Sequence, residues 1–76
     1  MINELDTVVL SHDIDEYELK KGDIGAVVHC YSDGLAFEVE FVTGEGETVA
    51  VLTLNSQDIR TMHGKEILHV REIESA

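Results

Sequence analysis

Proline is absent from the 76 residues, cysteine occurs once, and only five residues are Lys or Arg. Each shortage excludes something. Without proline, glycine does all of the turn punctuation. A single thiol, Cys30, excludes an internal disulfide and fits a reducing compartment. Five bases against 16 acids leave a formal net charge of −11. Nucleic-acid binding draws on Lys and Arg that replace phosphate counterions, so a field of this sign opposes it. It also repels anionic membranes and favours a basic partner or plain solubility. No apolar run approaches the ~20 residues of a membrane helix. The first six residues, Met1 to Asp6, hold neither a basic region nor a long apolar stretch, so the expectation is a cytoplasmic protein with no membrane partner.

What is present suffices to fold. Hydrophobic residues make up 43% of the chain, which argues against intrinsic disorder. A chain of this length buries roughly 60% of its surface on folding, a thin core with no room for a large substrate cavity. It holds one domain at most. The charge is not a tail. Residues 1–38 carry two bases and nine acids, and residues 39–76 carry three bases and seven acids.

The dominant period is two. Phe37, Val39 and Phe41 alternate with Glu38 and Glu40, which predicts a half-buried strand with a solvated acidic face. Residues 48–54 are apolar or β-branched on both faces and predict a central, two-sided strand. Gly44-Glu45-Gly46-Glu47 links the two as a hairpin. Residues 24–31 predict an earlier strand with Ile24, Ala26, Val28 and Cys30 on one face, joined onward through Ser32-Asp33-Gly34. Residues 5–10 predict the first strand and residues 66–73 the last. Asn55 to Ile59 predicts one helical turn before that last strand. Between the first two strands lies a polar excursion, residues 11–18, with room for a turn of helix and closed by a tight turn at Lys20-Lys21-Gly22-Asp23. Gly25 alone sits inside a strand, where it predicts a bulge or a close backbone approach. The layout is all-β, a small SH3-like five-stranded barrel spanning residues 1–76 as a single domain.

The run Leu19-Lys20-Lys21-Gly22-Asp23-Ile24-Gly25-Ala26-Val27-Val28 resembles the KOW-type turn of SH3-like ribosomal and transcription-factor domains. A longer resemblance takes in Leu5-Asp6-Thr7-Val8-Val9-Leu10, the Gly-Asp-Ile-Gly turn, Ala36-Phe37-Glu38-Val39-Glu40-Phe41, Val49-Ala50-Val51-Leu52-Thr53-Leu54 and Glu66-Ile67-Leu68-His69-Val70-Arg71. It is to a family of small bacterial proteins, common in cyanobacteria and known only as a domain of unknown function. That resemblance implies an SH3-like barrel and brings no catalytic residues. Members of such families often sit beside toxin-like genes, which implies an antitoxin or immunity role.

Candidate chemistry is sparse. Asp13, Asp15, Glu16 and Glu18 place four acids in six residues without a base. They lack the calcium-loop spacing, so the choice is a solvated loop or a face for a basic partner. Tyr17 among them favours the face, since exposed aromatics anchor interfaces. Glu38 and Glu40, about 7 Å apart on one strand face, extend it, without the cleft that a glycosidase carboxylate pair requires. His12, His29, His63 and His69 show no metal-binding spacing. His63 and His69 flank a glycine, and with His29 they form the weaker reading of a zinc or copper site. Cys30 becomes a nucleophile only beside a base, and its strand position argues for packing. Ser11-His12-Asp13 holds triad residue types, but triads assemble by geometry and not in sequence. No phosphate loop follows Gly44 and Gly46.

The sequence therefore predicts a non-catalytic acidic interaction module of antitoxin or immunity type. It would bind a basic protein through Asp13, Asp15, Glu16, Tyr17, Glu18, Glu38 and Glu40, with no cofactor. One alternative is a KOW-like module near nucleic acid or the ribosome, with Lys20, Lys21, Arg60 and Arg71 on one face. Another is a small metal-binding protein. A homodimer through paired edge strands is compatible with all three.

Overall fold

The computed structural model describes residues 2–73. Five strands form one antiparallel sheet: β1 Thr7–Leu10, β2 Ile24–Cys30, β3 Ala36–Val42, β4 Thr48–Asn55 and β5 Ile59–Thr61. Their order is β4-β3-β2-β1-β5. The all-β, five-stranded expectation holds. No ladder joins β4 to β5 among the described residues, so the sheet has two edges and the closing pair of a barrel is not seen.

The alternation in β3 places Phe37, Val39 and Phe41 in the core, as their spacing requires. Val8, Leu10, Leu19, Val27, Leu54 and Ile59 complete the cluster, and no polar side chain among the described residues is buried with them. Gly25 pairs with Val8 on this inner face. A Cβ there would lie 2.6 Å from Val39 Cγ1 and 3.1 Å from the Glu40 carbonyl. Of the two predicted explanations, close backbone approach is therefore the one that applies.

The bulge sits at Val28 instead. Val27 pairs with Val39, yet His29 pairs with Glu38 and Cys30 with Phe37. The extra residue reverses which side chains face inward. This corrects the predicted face of β2. Ile24, Ala26 and Val28 point away from the core, Gly25 and Val27 point into it, and Cys30 becomes half-buried only beyond the bulge.

Three further expectations change. The first strand starts at Thr7, because Leu5 lies in the left-handed region at φ 73 and belongs to a turn. Asn55 to Asp58 is a side-chain-bonded turn, with Asn55 N–H donating to Asp58 Oδ2 and Gln57 N–H to Asn55 Oδ1. The helical turn lies earlier, as a 3-10 turn at Asp15–Tyr17. The predicted strand at residues 66–73 is absent. The Asn55–Asp58 turn delivers β5 directly onto the free edge of β1, so that edge is filled before Glu66 is reached.

The segment after β5 is held by side chains. Arg60 forms a two-pronged pair with Glu66, and Arg71 forms one with Asp23 while also donating to the Glu18 carbonyl. Met62, Ile67 and Leu68 thereby gather near Val9 around a groove of about 260 Å³. Val9 is buried although it faces away from Val8.

The last correction concerns β4. Its uncharged, two-sided sequence predicts a central strand, yet it forms the outer edge of the sheet. Leu54 and Ala50 pack inward, whereas Val51 and Thr53 face solvent beside Glu40 and Glu38.

Candidate binding surface

The predicted site residues fall into two separate groups. Asp13, Asp15, Glu16, Tyr17 and Glu18 lie on the β1–β2 loop. That loop closes on itself through Ile14 N–H to Leu19 O at 2.8 Å and the reciprocal bond at 3.1 Å. The 3-10 turn follows from this closure, and Glu18 takes a left-handed conformation at φ 59 to end it. The loop is less acidic in space than in sequence. Lys20 Nζ lies 3.8 Å from Asp15 and Arg71 reaches the Glu18 carbonyl at 2.9 Å, while the Lys21 backbone N–H donates to Asp13 Oδ1 at 2.8 Å. Tyr17 remains partly exposed.

Glu38 and Glu40 occupy the outer face of the sheet. Cross-strand register builds two rows there, His29–Glu38–Thr53 and Ala26–Glu40–Val51. Glu38 accepts from the Tyr31 hydroxyl at 3.1 Å and from the Thr53 hydroxyl, and Glu40 accepts from Thr48 Oγ1 at 2.7 Å. The bond to Glu38 pushes the Tyr31 phenol up. His29 meets the Tyr31 ring edge-on at 4.8 Å.

Charge is unevenly divided along the chain. No Lys or Arg occurs between Lys21 and Arg60, whereas seven acids do. Asp23 is paired with Arg71 and Asp58 with His12. The other five, Asp33, Glu38, Glu40, Glu45 and Glu47, form no ion pair among the described residues. All five sit on β3, on its hairpin to β4, or on the turn that precedes β3. Glu45 and Glu47 join the site residues expected from sequence. Their hairpin borders a groove of about 570 Å³ whose apolar wall includes Leu19, Phe41 and Val49 and whose rim includes Glu72. The signal was the Gly-Glu-Gly-Glu run, whose acids stand on a turn with no base nearby in sequence.

The bases gather elsewhere. Lys21, Arg60 and Arg71 line the groove beside Val9 and Lys20 does not, and Asp23 and Glu66 line the same groove. The pairing with Arg60, helped by the His63 N–H, holds Glu66 down to about 2. Burial pushes the Asp23 carboxyl up, but the Arg71 guanidinium and the Lys20 N–H outweigh it and leave it below the ordinary range.

The remaining candidates resolve individually. His12 Nε2 lies 2.7 Å from Asp58 Oδ1 and its Nδ1 lies 2.9 Å from the Asp13 carbonyl. Two acceptors suit the doubly protonated ring, and the Asp58 bond followed by the Asp13 bond raises its pKa. The Ser11 hydroxyl makes no bond here among the described residues, and its backbone N–H donates to the Asp58 carbonyl at 2.7 Å. Cys30 Sγ faces the Ile2 carbonyl at 3.8 Å. Burial, then Glu4 and Asp6, push its thiol up, opposite to what a nucleophile needs. His29 lies 3.7 Å from Glu4. Among the described residues no three potential ligands cluster as a metal site, and no helix is long and apolar enough to cross a membrane.

Residues 4–61 match the model of DUF4926, a domain of unknown function. The chain belongs to this family. The DUF4926 match closes at Thr61, the last residue of β5, so the five-stranded sheet lies within the matched stretch and the clamped segment from Met62 lies beyond it. No curated protein and no solved structure matches the chain.

Proposed function

We propose that this DUF4926 domain is a non-catalytic binding module, of antitoxin or immunity type, that takes up a basic protein on the outer acidic surface of β3 and β4. The observation that carries this reading is the base-free stretch from Gly22 to Ile59, with five carboxylates that have no cationic partner among the described residues. Like charges gathered on β3 and the turns that flank it raise the local potential and speed encounter with an opposite charge. The β1–β2 loop, with Tyr17 at its tip, is the weaker half of the surface because the Lys20 ammonium and the Arg71 guanidinium lie against it.

A pull-down from native lysate at low and high salt, followed by mass spectrometry, tests this reading. A stoichiometric basic protein, lost at high salt, supports it. Retention of the same protein regardless of salt rejects it.

The convergence of Lys21, Arg60 and Arg71 supports a second reading, a KOW-like module acting near nucleic acid or the ribosome. Both guanidiniums would first have to leave Glu66 and Asp23. A gel shift with RNA at low salt that shows no complex removes this reading.

A further inference from the structure

We propose that the free edge of β4 accepts an extended segment of the partner as a sixth strand, and that this segment alternates basic with apolar residues. The proposal rests on the acidic-surface reading above and specifies its mode of binding.

The two edges of the sheet differ. The β5 edge is three residues long and contains Arg60. Short strands and charged residues are the usual protections of an edge. The β4 edge is eight residues long, the longest strand in the protein, with neither charge nor proline. Its one protective feature is a register shift opposite Val42, near the hairpin end. Beyond it, residues 50–54 run in unbroken register with β3. Among the described residues, the backbone of 48–54 finds no partner outside β3. Alternate N–H and C=O groups thus face outward without a hydrogen-bond partner among the described residues. The sequence of β4 is that of a strand flanked on both sides, and the fold supplies one flank.

The occupant follows from charge. On the outer face, a docked strand would lie beside Val51 and Thr53 and about 10 Å from β3, two strand spacings away. A lysine or arginine leaning over that pair of small side chains meets Glu40 and Glu38. Glu45 and Glu47 stand on the hairpin at one end of β4. A second copy of this chain would instead bring another −11 to the same place. On the inner face, the half-buried Leu52 and Val49 present apolar surface at the core margin. Strand addition takes affinity from main-chain bonds and specificity from alternate side chains. The two faces here demand basic and apolar side chains in turn.

The test uses an eight-residue peptide alternating lysine and valine, with both ends blocked, and two derivatives N-methylated on all lysines or on all valines. In a docked strand only one of these sets of amides faces β4. Calorimetry at low salt is expected to show binding of the parent and of one derivative, with the other weakened at least about tenfold by its lost backbone bonds. Amide NMR shifts are expected to concentrate in residues 48–54. If both derivatives bind as the parent does, strand addition is wrong while the acidic-surface reading stands. If none binds, both fall. If sedimentation shows the free protein to be a dimer paired through β4, a second copy is the occupant and the proposal is overturned.

Discussion

Gly25→Ala perturbs the most crowded point of the sheet. An alanine methyl would sit 2.6 Å from Val39 Cγ1, 2.9 Å from Phe41 Cε1 and 3.1 Å from the Glu40 carbonyl. Val39 and Phe41 are buried and held by β4 behind them, and the carbonyl is fixed within β3. None of the three is the free end of a flexible chain. The backbone of Gly25 is outside the left-handed region, so alanine adds no dihedral strain and the cost is contact alone. Overpacking of this kind costs about 1–3 kcal/mol. The stiffer unfolded chain returns about 0.4–1 kcal/mol. Two approaches under 3.0 Å to buried side chains put the cost at the larger end, so the net loss is about 2 kcal/mol, which lowers Tm by roughly 8–16 °C in a domain of this size. Gly44→Ala is the control: nothing lies within 4 Å of its would-be Cβ and its φ is ordinary. Thermal unfolding followed by circular dichroism compares the pair. A Gly25→Ala protein that melts within about 2 °C of the wild type would refute the packing of β2 on β3 described above.

Other predictions address the charged groups. NMR titration should place the Glu66 midpoint near 2, and Arg60→Ala should return it toward the ordinary 4.5. Because the folded value is depressed, the stabilisation from this pair is present above pH 4.5 and lost as pH falls toward 2. His12 should titrate above 6.5, with the shift reduced in Asp58→Asn. Its folded value is raised, so its contribution is complete below pH 6.5 and disappears as pH rises through the folded value. Truncating the fully buried Val27 to alanine should cost about 2 kcal/mol in denaturant unfolding, and a neutral result would contradict the core assignment. Charge reversal at Asp15 and Glu16 should weaken binding to a basic partner less than reversal at Glu38 and Glu40. Equal losses would return the β1–β2 loop to the centre of the surface.

Local pattern carried much of the fold. Phe37, Val39 and Phe41 revealed β3 because one face is core and the other solvent. The glycine turns located both hairpins of the β2–β3–β4 meander. Pattern failed where long-range pairing decides. Ile24, Ala26 and Val28 face outward, and Cys30 packs at the core margin, as its sequence position suggests, only because one bulged residue at Val28 resets the alternation. Residues 66–73 read as a strand because they are apolar enough, but a strand needs an edge, and Ile59–Thr61 had already taken the nearest one. The acidic surface was half legible. The strand alternation put Glu38 and Glu40 on an open face. That the loop acids are tempered by Arg71, 53 residues beyond Glu18, follows only from the folded chain. The edge position of β4 was hidden for the same reason, since its sequence is that of a strand with neighbours on both sides.

The most direct measurement of the central claim is the affinity of the wild type and of Glu38→Gln/Glu40→Gln for the lysine–valine peptide at two salt concentrations. Binding to the acidic β3–β4 surface predicts that the wild type weakens steeply as salt rises and that the double variant is already weak at low salt. Equal affinity for both proteins at low salt would contradict it.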